Sequence, residues 1–574
     1  MNTLLFETTR TTTQLSRNYY FENPIAILQT SSLKEIPKIF EQIEKYLKNG
    51  NYVAGYFSYE CGYHFEKFLL DYSYQSPFPL IWLGVYREPK IISSKIENEN
   101  YSIDNFHLEI QKENYIKNIE RIKNYILEGD TYQVNYTTKL TFDFSGSAFG
   151  LYRTLQKKQS VEYAAFLETE FGGILSLSPE LFFHRKNNSI ITKPMKGTTS
   201  RGRTVKEDEK IIEWFRNDEK NRSENLMIVD LLRNDLGKMC EIGSIKVPQL
   251  FSVEQYETLF QMTSTIEGTL CNNISYYEIF KSIFPSGSVT GAPKIRTMQI
   301  IRELEKENRN VYCGAIGFFS PNNEAIFNVP IRTITIQNNK GVMGIGSGIV
   351  FDSVPEKEFE ECILKANFLT HPLIEFQLIE TILWNGKEYT FLEQHLERMK
   401  NSAQYFGFSF SKEKIVQKFL KLDKSHQKIR ILLSKDGTTE IEALPLTSSS
   451  LIIKISPEKV LSTDKFLFHK ITHRPLYNKY RELSKKENII DYIFLNEKNE
   501  ITEGTIHNIF IQQNGKLYTP PKECGILAGI QRQNILKENL NTKEKILTLE
   551  DLKSAEKIFV CNSVVELLEV HLKI

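Results

Sequence analysis

The sequence predicts an α+β protein in which a large layered domain precedes a smaller one. The chain has 574 residues, whereas domains mostly contain roughly 100–200 residues and single folds sometimes reach about 250 or more. Short β-branched and aromatic runs alternate with turn residues and with irregularly spaced helical patterns, which favours a layered α+β fold over a regular βαβ array. A proline marks a break near residue 372, after which about 200 residues remain, enough for a second domain.

The first part of the chain changes from a helical to a strand-like pattern. Isoleucines recur at helical spacing from Ile116 to Leu127, and Gly129 marks the end of that predicted helix. The runs that follow are rich in β-branched and aromatic residues, as strands are: TYQVNYTTKLTFDF, YAAFLE, GGILSLS, LFFHR and SIITK.

A second unit is predicted to begin after a helix that starts around Pro355. That helix should end before Pro372, because the residue preceding a proline avoids helical angles. The strand-like run IETILWNG and the helical run FLEQHLERMKNSAQYFGF then open the new unit. We therefore predict one domain over residues 1–370, with the weakest pattern over 1–105, and another over 375–574.

Composition favours a small-molecule partner. Seventy-two basic side chains against 71 acidic ones give a formal net charge of +1, so no global field draws the chain to nucleic acid or to anionic lipid. The start of the chain lacks the apolar core of a signal peptide, and no run approaches the roughly 20 apolar residues of a membrane span. The seven cysteines show no C-x-x-C pair. We expect a water-soluble, cytoplasmic protein with reduced thiols.

Two glycine-rich stretches resemble nucleotide loops without matching them. GVMGIGSGIV lacks the G-x-G-x-x-G spacing, and GSVTGAPK does not satisfy G-x-x-x-x-G-K-[ST]. The amides of Gly346 and Gly348 are predicted instead to face a carboxylate in a small anion-binding turn. The hydroxyls of GSVTGAPK, including that of Thr290, could form an anion pocket beside the helix predicted for KIRTMQIIREL.

Acidic residues in two helical segments allow either a solvated charge stripe or a site for a hard cation. With Asp352 or Ser353 as the cap of the helix from Pro355, Glu358 and Glu361 share one face with a lysine, Lys365. In SENLMIVDLLRND, Glu224 is placed at the start of a helix, where an acid is favoured by the helix dipole even without a metal. Carboxylates also suit Mg²⁺, which usually takes one or two of them together with water and substrate.

Once these motifs are taken together, they resemble the chorismate-utilising enzyme family over approximately residues 50–370. The blocks that carry the resemblance occur in the family's order: GYFSYECGY, GDTYQVNYT, LSPELFF, PMKGT, SENLMIVDLLRNDLG, FPSGSVTGAPKIR, YCGAIGFF, GIGSGIV and PEKEFEECILKA. The implied fold is a large two-sheet α/β sandwich that binds chorismate. By composition alone, Lys196 in PMKGT would be an ordinary surface lysine.

The resemblance assigns a reaction to Lys196. A lysine at this position marks the branch of the family that forms para-aminobenzoate, whereas anthranilate synthases carry a small residue there. In that branch the lysine attacks C2 of chorismate, the C4 hydroxyl leaves, and ammonia enters at C4. Glu180 matches the general acid for the departing hydroxyl. The nearby cations Lys193, Arg201 and Arg203 could keep the Lys196 amine unprotonated if the fold brings them close.

The same resemblance implies further ligands. Arg332, Tyr312, Gly348 and Lys365 match positions that handle substrate carboxylates, with Thr290 added from the hydroxyl-rich loop. Three glutamates match positions that bind Mg²⁺, which would neutralise the ring carboxylate: Glu224, Glu358 and Glu361.

Residues 375–574 resemble a fold-type IV pyridoxal-phosphate enzyme, the class IV aminotransferase-like group that contains aminodeoxychorismate lyase. The matching segments are HLERM, KIRILLSKDG, FHKITHRPLYN, DYIFLNEKNEITEGTIHNIFI, LAGIQRQNIL and VCNSVVELLEV. Lys470 matches the lysine that binds pyridoxal 5′-phosphate (PLP), and Glu503 matches the acid at the pyridinium nitrogen. The positions that match the phosphate site are Arg398, Ile530, Gln531 and Ser563. The segment opens directly at FQLIETILW, without the first strand of stand-alone members, so part of its pocket must come from elsewhere.

Together the two resemblances imply successive steps towards 4-aminobenzoate for folate. The first domain would aminate chorismate, and the second would eliminate pyruvate. No segment resembles a glutamine amidotransferase, so a separate glutaminase subunit or free ammonia must supply nitrogen. Fold-type IV relatives are commonly dimers, which suggests a homodimer through the C-terminal domain. Two alternatives stay open: a monofunctional synthase with a non-catalytic C-terminal assembly domain, and an anthranilate synthase-type activity.

Overall fold

The computed structural model divides the chain into two compact units. It describes residues 2–10, 18–66, 69, 72, 74–91, 99–419, 428–446 and 450–573. The first unit contains residues Met1–Ser200 and Trp214–Leu373, and the second contains Arg201–Glu213 and Ile374–Ile574. No helix within the described ranges is long and apolar enough to cross a membrane.

The first unit is built from two large sheets covered by helices. Its strands are β1 (Thr3–Glu7), β2 (Tyr19–Phe21), β3 (Ala26–Thr30), β4 (Tyr52–Phe57), β5 (Ile81–Tyr86), β6 (Lys90–Ile91), β7 (Tyr101–Leu108), β8 (Gln133–Gly146), β9 (Tyr163–Thr169), β10 (Gly172–Ser178), β11 (Leu181–Lys186), β12 (Ser189–Lys193), β13 (Met195–Ser200), β14 (Lys246–Gln255), β15 (Leu259–Thr269), β16 (Gly291–Ala292), β17 (Ala315–Ser320), β18 (Glu324–Asn328), β19 (Thr333–Gln337) and β20 (Lys340–Ile349). The helices are α1 (Ile36–Lys48), α2 (Lys112–Leu127), α3 (Ala148–Lys158), α4 (Val205–Asn217), which begins in the second unit, α5 (Glu219–Gly237), α6 (Tyr276–Ile283), α7 (Lys294–Leu304) and α8 (Pro355–Thr370).

The two sheets form a sandwich with helices outside. Sheet I has the strand order β16-β8-β20-β19-β10-β9-β1-β2-β6, and sheet II has the order β13-β15-β12-β11-β18-β17-β4-β5-β3, with β7 and β14 pairing at β8 and β15. In β4, Val53 and Phe57 join the core under α1, α5 and α6, whereas Ala54 and Tyr56 join the core between the sheets. This alternation follows from the two-residue period of a strand. A third core packs sheet I against α2, α3, α7 and α8.

The second unit combines a small antiparallel sheet with a larger mixed one. Its elements are β21 (Leu378–Leu383), α9 (Leu392–Phe406), α10 (Lys412–Phe419), β22 (Lys428–Leu433), β23 (Thr439–Leu444), β24 (Ile452–Ile455), α11 (Pro475–Lys486), β25 (Asp491–Leu495), β26 (Ile501–Gly504), β27 (Asn508–Gln513), β28 (Lys516–Thr519), α12 (Ile530–Glu538), β29 (Thr542–Glu544), α13 (Leu549–Lys553), β30 (Lys557–Cys561) and β31 (Leu568–Leu572). Sheet III is β21-β22-β23, and sheet IV is β26-β25-β24-β31-β30-β27-β28-β29. Apolar faces of α9 and α10 pack on sheet III.

The predicted α+β class and the two-sheet sandwich are confirmed. Three local predictions are wrong. Gly346 and Gly348 lie within the long strand β20, paired with β8, and do not form an anion-binding turn. Glu224 lies in the second turn of α5, which is capped by Asp218. The N-cap of α8 is Val354, which makes no side-chain cap, and Ser353 instead donates a hydrogen bond to Glu358 at 2.8 Å.

Candidate active sites

The amine of Lys196 lies where the edge of sheet II approaches sheet I. Lys196 is on β13, which pairs with β15, while Gly348 is on β20 and Gln133 begins β8. A Cβ atom built on Gly348 would lie 3.0 Å from Lys196 Nζ and 2.3 Å from Gln133 Nε2. A glycine at position 348 therefore leaves the space that these two polar ends occupy.

Burial is the largest influence on the pKa of Lys196. The residue is half-buried by surface area, but its amine end is enclosed by protein, and this burial lowers its pKa. The negative charges of Glu224 and Glu180 raise the pKa of Lys196, whereas the positive charge of Lys365 lowers it further. The nearby cations proposed from the sequence are engaged elsewhere: Lys193 pairs with Glu254, and Arg201 and Arg203 belong to the second unit, paired with Asp208 and Glu207.

Glu180 is a buried acid facing the same site. It follows β10, where its amide donates to Ser178 Oγ at 3.1 Å. Ser288 Oγ donates to Glu180 Oε1 at 2.5 Å. Burial raises the pKa of Glu180 to about 7, and the bond from Ser288 and the charge of Lys196 oppose the rise. A carboxyl of this kind is protonated in part of the population near neutral pH, as a proton donor must be.

The residues predicted to handle carboxylates lie in the same unit. Arg332 Nη1 is buried and has no hydrogen-bond partner among the described residues, so it has a free donor for an anion. Lys365 Nζ donates to Gly346 O at 2.6 Å and pairs with Glu361 at 2.7 Å. The ring of Tyr312 packs on Gly344, which lies on the same face of β20 as Gly346 and Gly348 because residues two apart in a strand share a face.

Thr290 is fully buried, and its hydroxyl donates to Ser286 O at 3.0 Å. This bond closes a turn around Ser288 in the loop between α6 and α7. The loop therefore presents Ser288 to Glu180, a contact that the sequence did not specify.

The three glutamates are electrostatically coupled, although they are not gathered into a ready-made cluster. Burial is the main cause that raises the pKa of Glu224, and the charges of Glu358 and Glu361 raise it further. No group of three or more His, Cys, Asp or Glu side chains within the described part of the chain has the proximity of a metal site. Oxygen-only donors nevertheless fit Mg²⁺, since this ion usually binds through one or two carboxylates plus substrate and water.

Sequence reasoning missed Gln133 and Ser288. Gln133 is buried, and its Oε1 has no hydrogen-bond partner among the described residues. It lies inside a strand-like run, where nothing in the alternation of apolar and polar residues distinguishes it from a structural side chain. Ser288 belongs to the hydroxyl-rich stretch GSVTGAPK, which was a signal for a pocket without indicating which hydroxyl faces the acid.

In the second unit, the amine of Lys470 is buried, and the backbone of this residue is hydrogen-bonded to a neighbouring strand. Its carbonyl accepts a hydrogen bond from the amide of Ile379 at 2.9 Å, which ties it to β21. Burial, reinforced by Arg474 and Arg398, lowers the pKa of Lys470 to about 7. A fraction of the amine is thus free base near neutral pH, the form that can react with an aldehyde.

Glu503 lies on β26 within electrostatic range of Lys470. It accepts hydrogen bonds from Asn508 Nδ2 at 2.9 Å and from the amide of Leu527 at 3.1 Å. Burial raises the pKa of Glu503 to about 8. A buried carboxyl held this way is suited to a cationic ring nitrogen, whose charge would favour the ionised form.

Backbone and side-chain donors are available for a phosphate. Arg398 pairs with Glu380 at 2.6 Å, and its Nη1 lies 3.4 Å from Ala528 O, just before α12. No side chain caps the start of α12, where the amides of Ile530 and Gln531 point out of the helix, as anion sites require. Ser563 lies in the loop between β30 and β31. These donors, with Lys470 and Glu503, fit PLP.

Comparison with known proteins assigns the two halves to families. Residues 3–371 match the family described as chorismate binding enzyme, and residues 377–572 match amino-transferase class IV. The chain belongs to the chorismate binding enzyme family and carries a class IV aminotransferase domain after it.

The curated relatives match about half of the chain. Aminodeoxychorismate synthase component 1 of Bacillus subtilis (strain 168) is 37% identical over 278 residues, which cover 48% of this chain and 59% of the relative. The protein with the same description in Escherichia coli (strain K12) is 40% identical over 256 residues, covering 45% of this chain and 56% of that protein. The chain thus spans somewhat over half the length of these relatives.

A solved structure resembles the fold of about two thirds of the chain. Anthranilate synthase component I from Streptococcus pneumoniae TIGR4 superposes with a TM-score of 0.52 at 23% identity, covering 65% of this chain and 90% of that chain.

Proposed function

We propose that the first unit converts chorismate and ammonia to 4-amino-4-deoxychorismate, and that the second unit eliminates pyruvate from this product to give 4-aminobenzoate. The observation that carries the first part is the enclosed amine of Lys196 next to the buried acid Glu180 and the glycine at position 348. The identity to the aminodeoxychorismate synthases supports the choice of substrate.

In the proposed first reaction, Lys196 acts as the nucleophile. Its free amine forms a bond to C2 of chorismate while the C4 hydroxyl departs, taking a proton from Glu180 and leaving as water. Ammonia then bonds to C4, and the bond between Lys196 and C2 breaks. One difficult substitution is in this way divided into two easier ones.

Arg332 and Lys365 would hold substrate carboxylates during both steps. Tyr312, Thr290 and the backbone of Gly348 would complete the pocket. Glu224, Glu358 and Glu361 would hold Mg²⁺. When bound, this ion supplies positive charge to the ring carboxylate.

In the proposed second reaction, Lys470 moves the proton and Glu503 sets the charge of the ring nitrogen. Arg398, Ser563 and the amides at the start of α12 would hold the phosphate. When bound, PLP supplies an electron sink for the elimination. The ammonia of the first reaction would come from a separate glutamine amidotransferase subunit or from solution.

A product assay tests the whole proposal. The purified chain is supplied with chorismate, an ammonium salt near neutral pH, Mg²⁺ and PLP, and the products are separated by chromatography. We expect 4-aminobenzoate and pyruvate in equal amounts. Anthranilate as the product would contradict amination at C4 and indicate an anthranilate synthase-type activity. Accumulation of aminodeoxychorismate without 4-aminobenzoate would contradict the activity proposed for the second unit.

The role of Glu180 predicts a distinct pH profile for amination. The acid must be protonated to donate, so the rate should fall as the pH rises through about 7, the pKa to which burial raises this carboxyl. Glu180→Gln should lower the rate roughly 10²–10⁴-fold and flatten this alkaline limb. Glu168→Gln, an exposed change on β9, is the matched control. An alkaline limb that persists in Glu180→Gln would exclude Glu180 as the proton donor.

A further inference from the structure

One segment of the second unit lies, by sequence, within the part of the chain that matches the chorismate binding enzyme family. Residues Arg201–Glu213, here called the inserted segment, lie inside the stretch 3–371 that matches chorismate binding enzyme, yet they pack as part of the second unit. The chain enters this segment directly after β13. The class IV domain is thus incomplete without residues that lie outside its own sequence match.

Arg201 and Gly202 fasten the inserted segment to the end of α9. The Arg201 guanidinium lies 4.1 Å from the ring centroid of Tyr405, and its Nη1 donates to Tyr405 O at 2.9 Å. The Tyr405 hydroxyl in turn donates to Gly202 O at 2.6 Å. Within the segment, Asp208 pairs with Arg201 at 2.5 Å and accepts from the Gly202 amide at 2.8 Å. This buried, charge-assisted network fixes the backbone of the segment.

The next residue of the segment, Arg203, reaches His469. Arg203 O lies 2.9 Å from His469 Nε2. A carbonyl oxygen only accepts, so Nε2 must carry the proton. His469 Nδ1 then accepts from Ser402 Oγ at 2.9 Å. The imidazole stacks on Tyr405 with ring centroids 4.6 Å apart. Both ring nitrogens are therefore satisfied, in one tautomer and one orientation.

His469 immediately precedes Lys470. The side chain of His469 is held by the inserted segment, while the carbonyl of Lys470 is held by the amide of Ile379 on β21. These bonds fix the backbone on both sides of the Lys470 Cα atom. The starting point of the Lys470 side chain, and hence the reach of its amine, depends on the inserted segment.

We propose that the inserted segment is a positioning element of the PLP site, which acts through His469 to hold Lys470 where it can bond to the cofactor. This inference rests on the proposed function of the second unit. The lysine amine and the aldehyde of PLP condense to a carbon–nitrogen double bond with release of one water, so the position of the amine affects this bond directly.

Two ligands separate positioning from general stability. Pyridoxamine 5′-phosphate carries an amine in place of the aldehyde, so it uses the same phosphate and ring contacts without a bond to Lys470. We expect His469→Leu to weaken PLP binding about tenfold, as for the loss of buried hydrogen bonds, and pyridoxamine 5′-phosphate binding by less than about twofold. The fraction of Lys470 that carries cofactor after borohydride reduction, measured by peptide mass spectrometry, should fall in parallel.

Three further full-length variants complete the test. His469→Gln should restore most PLP binding, because its amide can donate to Arg203 O and accept from Ser402. The double variant Arg201→Ala/Arg203→Ala should also weaken PLP binding more than pyridoxamine 5′-phosphate binding, because it loosens the inserted segment that holds His469. Lys206→Ala, an exposed change in the same segment, should match wild type.

Equal losses for the two ligands, or no loss for either, would overturn the positioning role. Wild-type protein that binds neither ligand would instead overturn the proposed function of the second unit.

Discussion

Lys196→Ala should lower the C4 amination of chorismate by roughly 10³-fold or more, the scale seen when a covalent nucleophile is removed. Its amine is enclosed beside Gly348, and burial keeps its pKa lowered. Alanine leaves Glu180 and the carboxylate-binding residues in place, so substrate should still bind. The measurement is product formation from chorismate with an ammonium salt, together with the substrate Kd.

The covalent step gives a second test of the role of Lys196, which uses the wild-type protein. Wild-type protein quenched during turnover should contain a fraction whose intact mass is raised by the ring of the substrate, and digestion should locate this adduct at Lys196. Lys186→Ala, an exposed lysine on β11, should keep both the rate and the adduct. Full activity of Lys196→Ala would contradict the nucleophilic role, whether ammonia or a glutaminase partner supplies the nitrogen.

Local sequence patterns predicted the elements of the fold well. The prolines at positions 355 and 372 frame α8, which runs from Pro355 to Thr370, because proline suits a helix start and disfavours helix in the residue before it. The runs rich in β-branched and aromatic residues form strands, because these side chains are favoured in a sheet. The pairing of those strands into two sheets is a long-range property, and it alone brings Lys196 on β13 to Gly348 on β20.

Electrostatic neighbours were the least predictable part of the site. Arg201 and Arg203 are close to Lys196 in sequence, but they belong to the second unit, while the distant Lys365 acts on the amine. The pairing of Glu361 with Lys365, in contrast, follows the i, i+4 rule for helices. Sequence distance therefore indicated the partner of Lys365 within its helix, but not the charges that act on Lys196.

The final prediction concerns the order of the two reactions. Lys470→Ala should reduce formation of 4-aminobenzoate by roughly 10³-fold or more, because the proposed proton carrier and cofactor-binding amine are lost together. Chorismate should still be consumed at the wild-type rate, since the residues proposed for amination lie in the other unit. With chorismate, ammonia, Mg²⁺ and PLP present, chromatography should show aminodeoxychorismate accumulating as 4-aminobenzoate disappears.

The control for this variant is Lys486→Ala, which removes an exposed lysine at the end of α11 and should leave both products unchanged. If Lys470→Ala still forms 4-aminobenzoate at the wild-type rate, the second unit is not the source of the elimination, and a non-catalytic assembly role becomes the better account of it. If amination falls together with elimination, the two sites do not act independently. Accumulation of the intermediate alone fits two separate sites on one chain, with the product of the first as the substrate of the second.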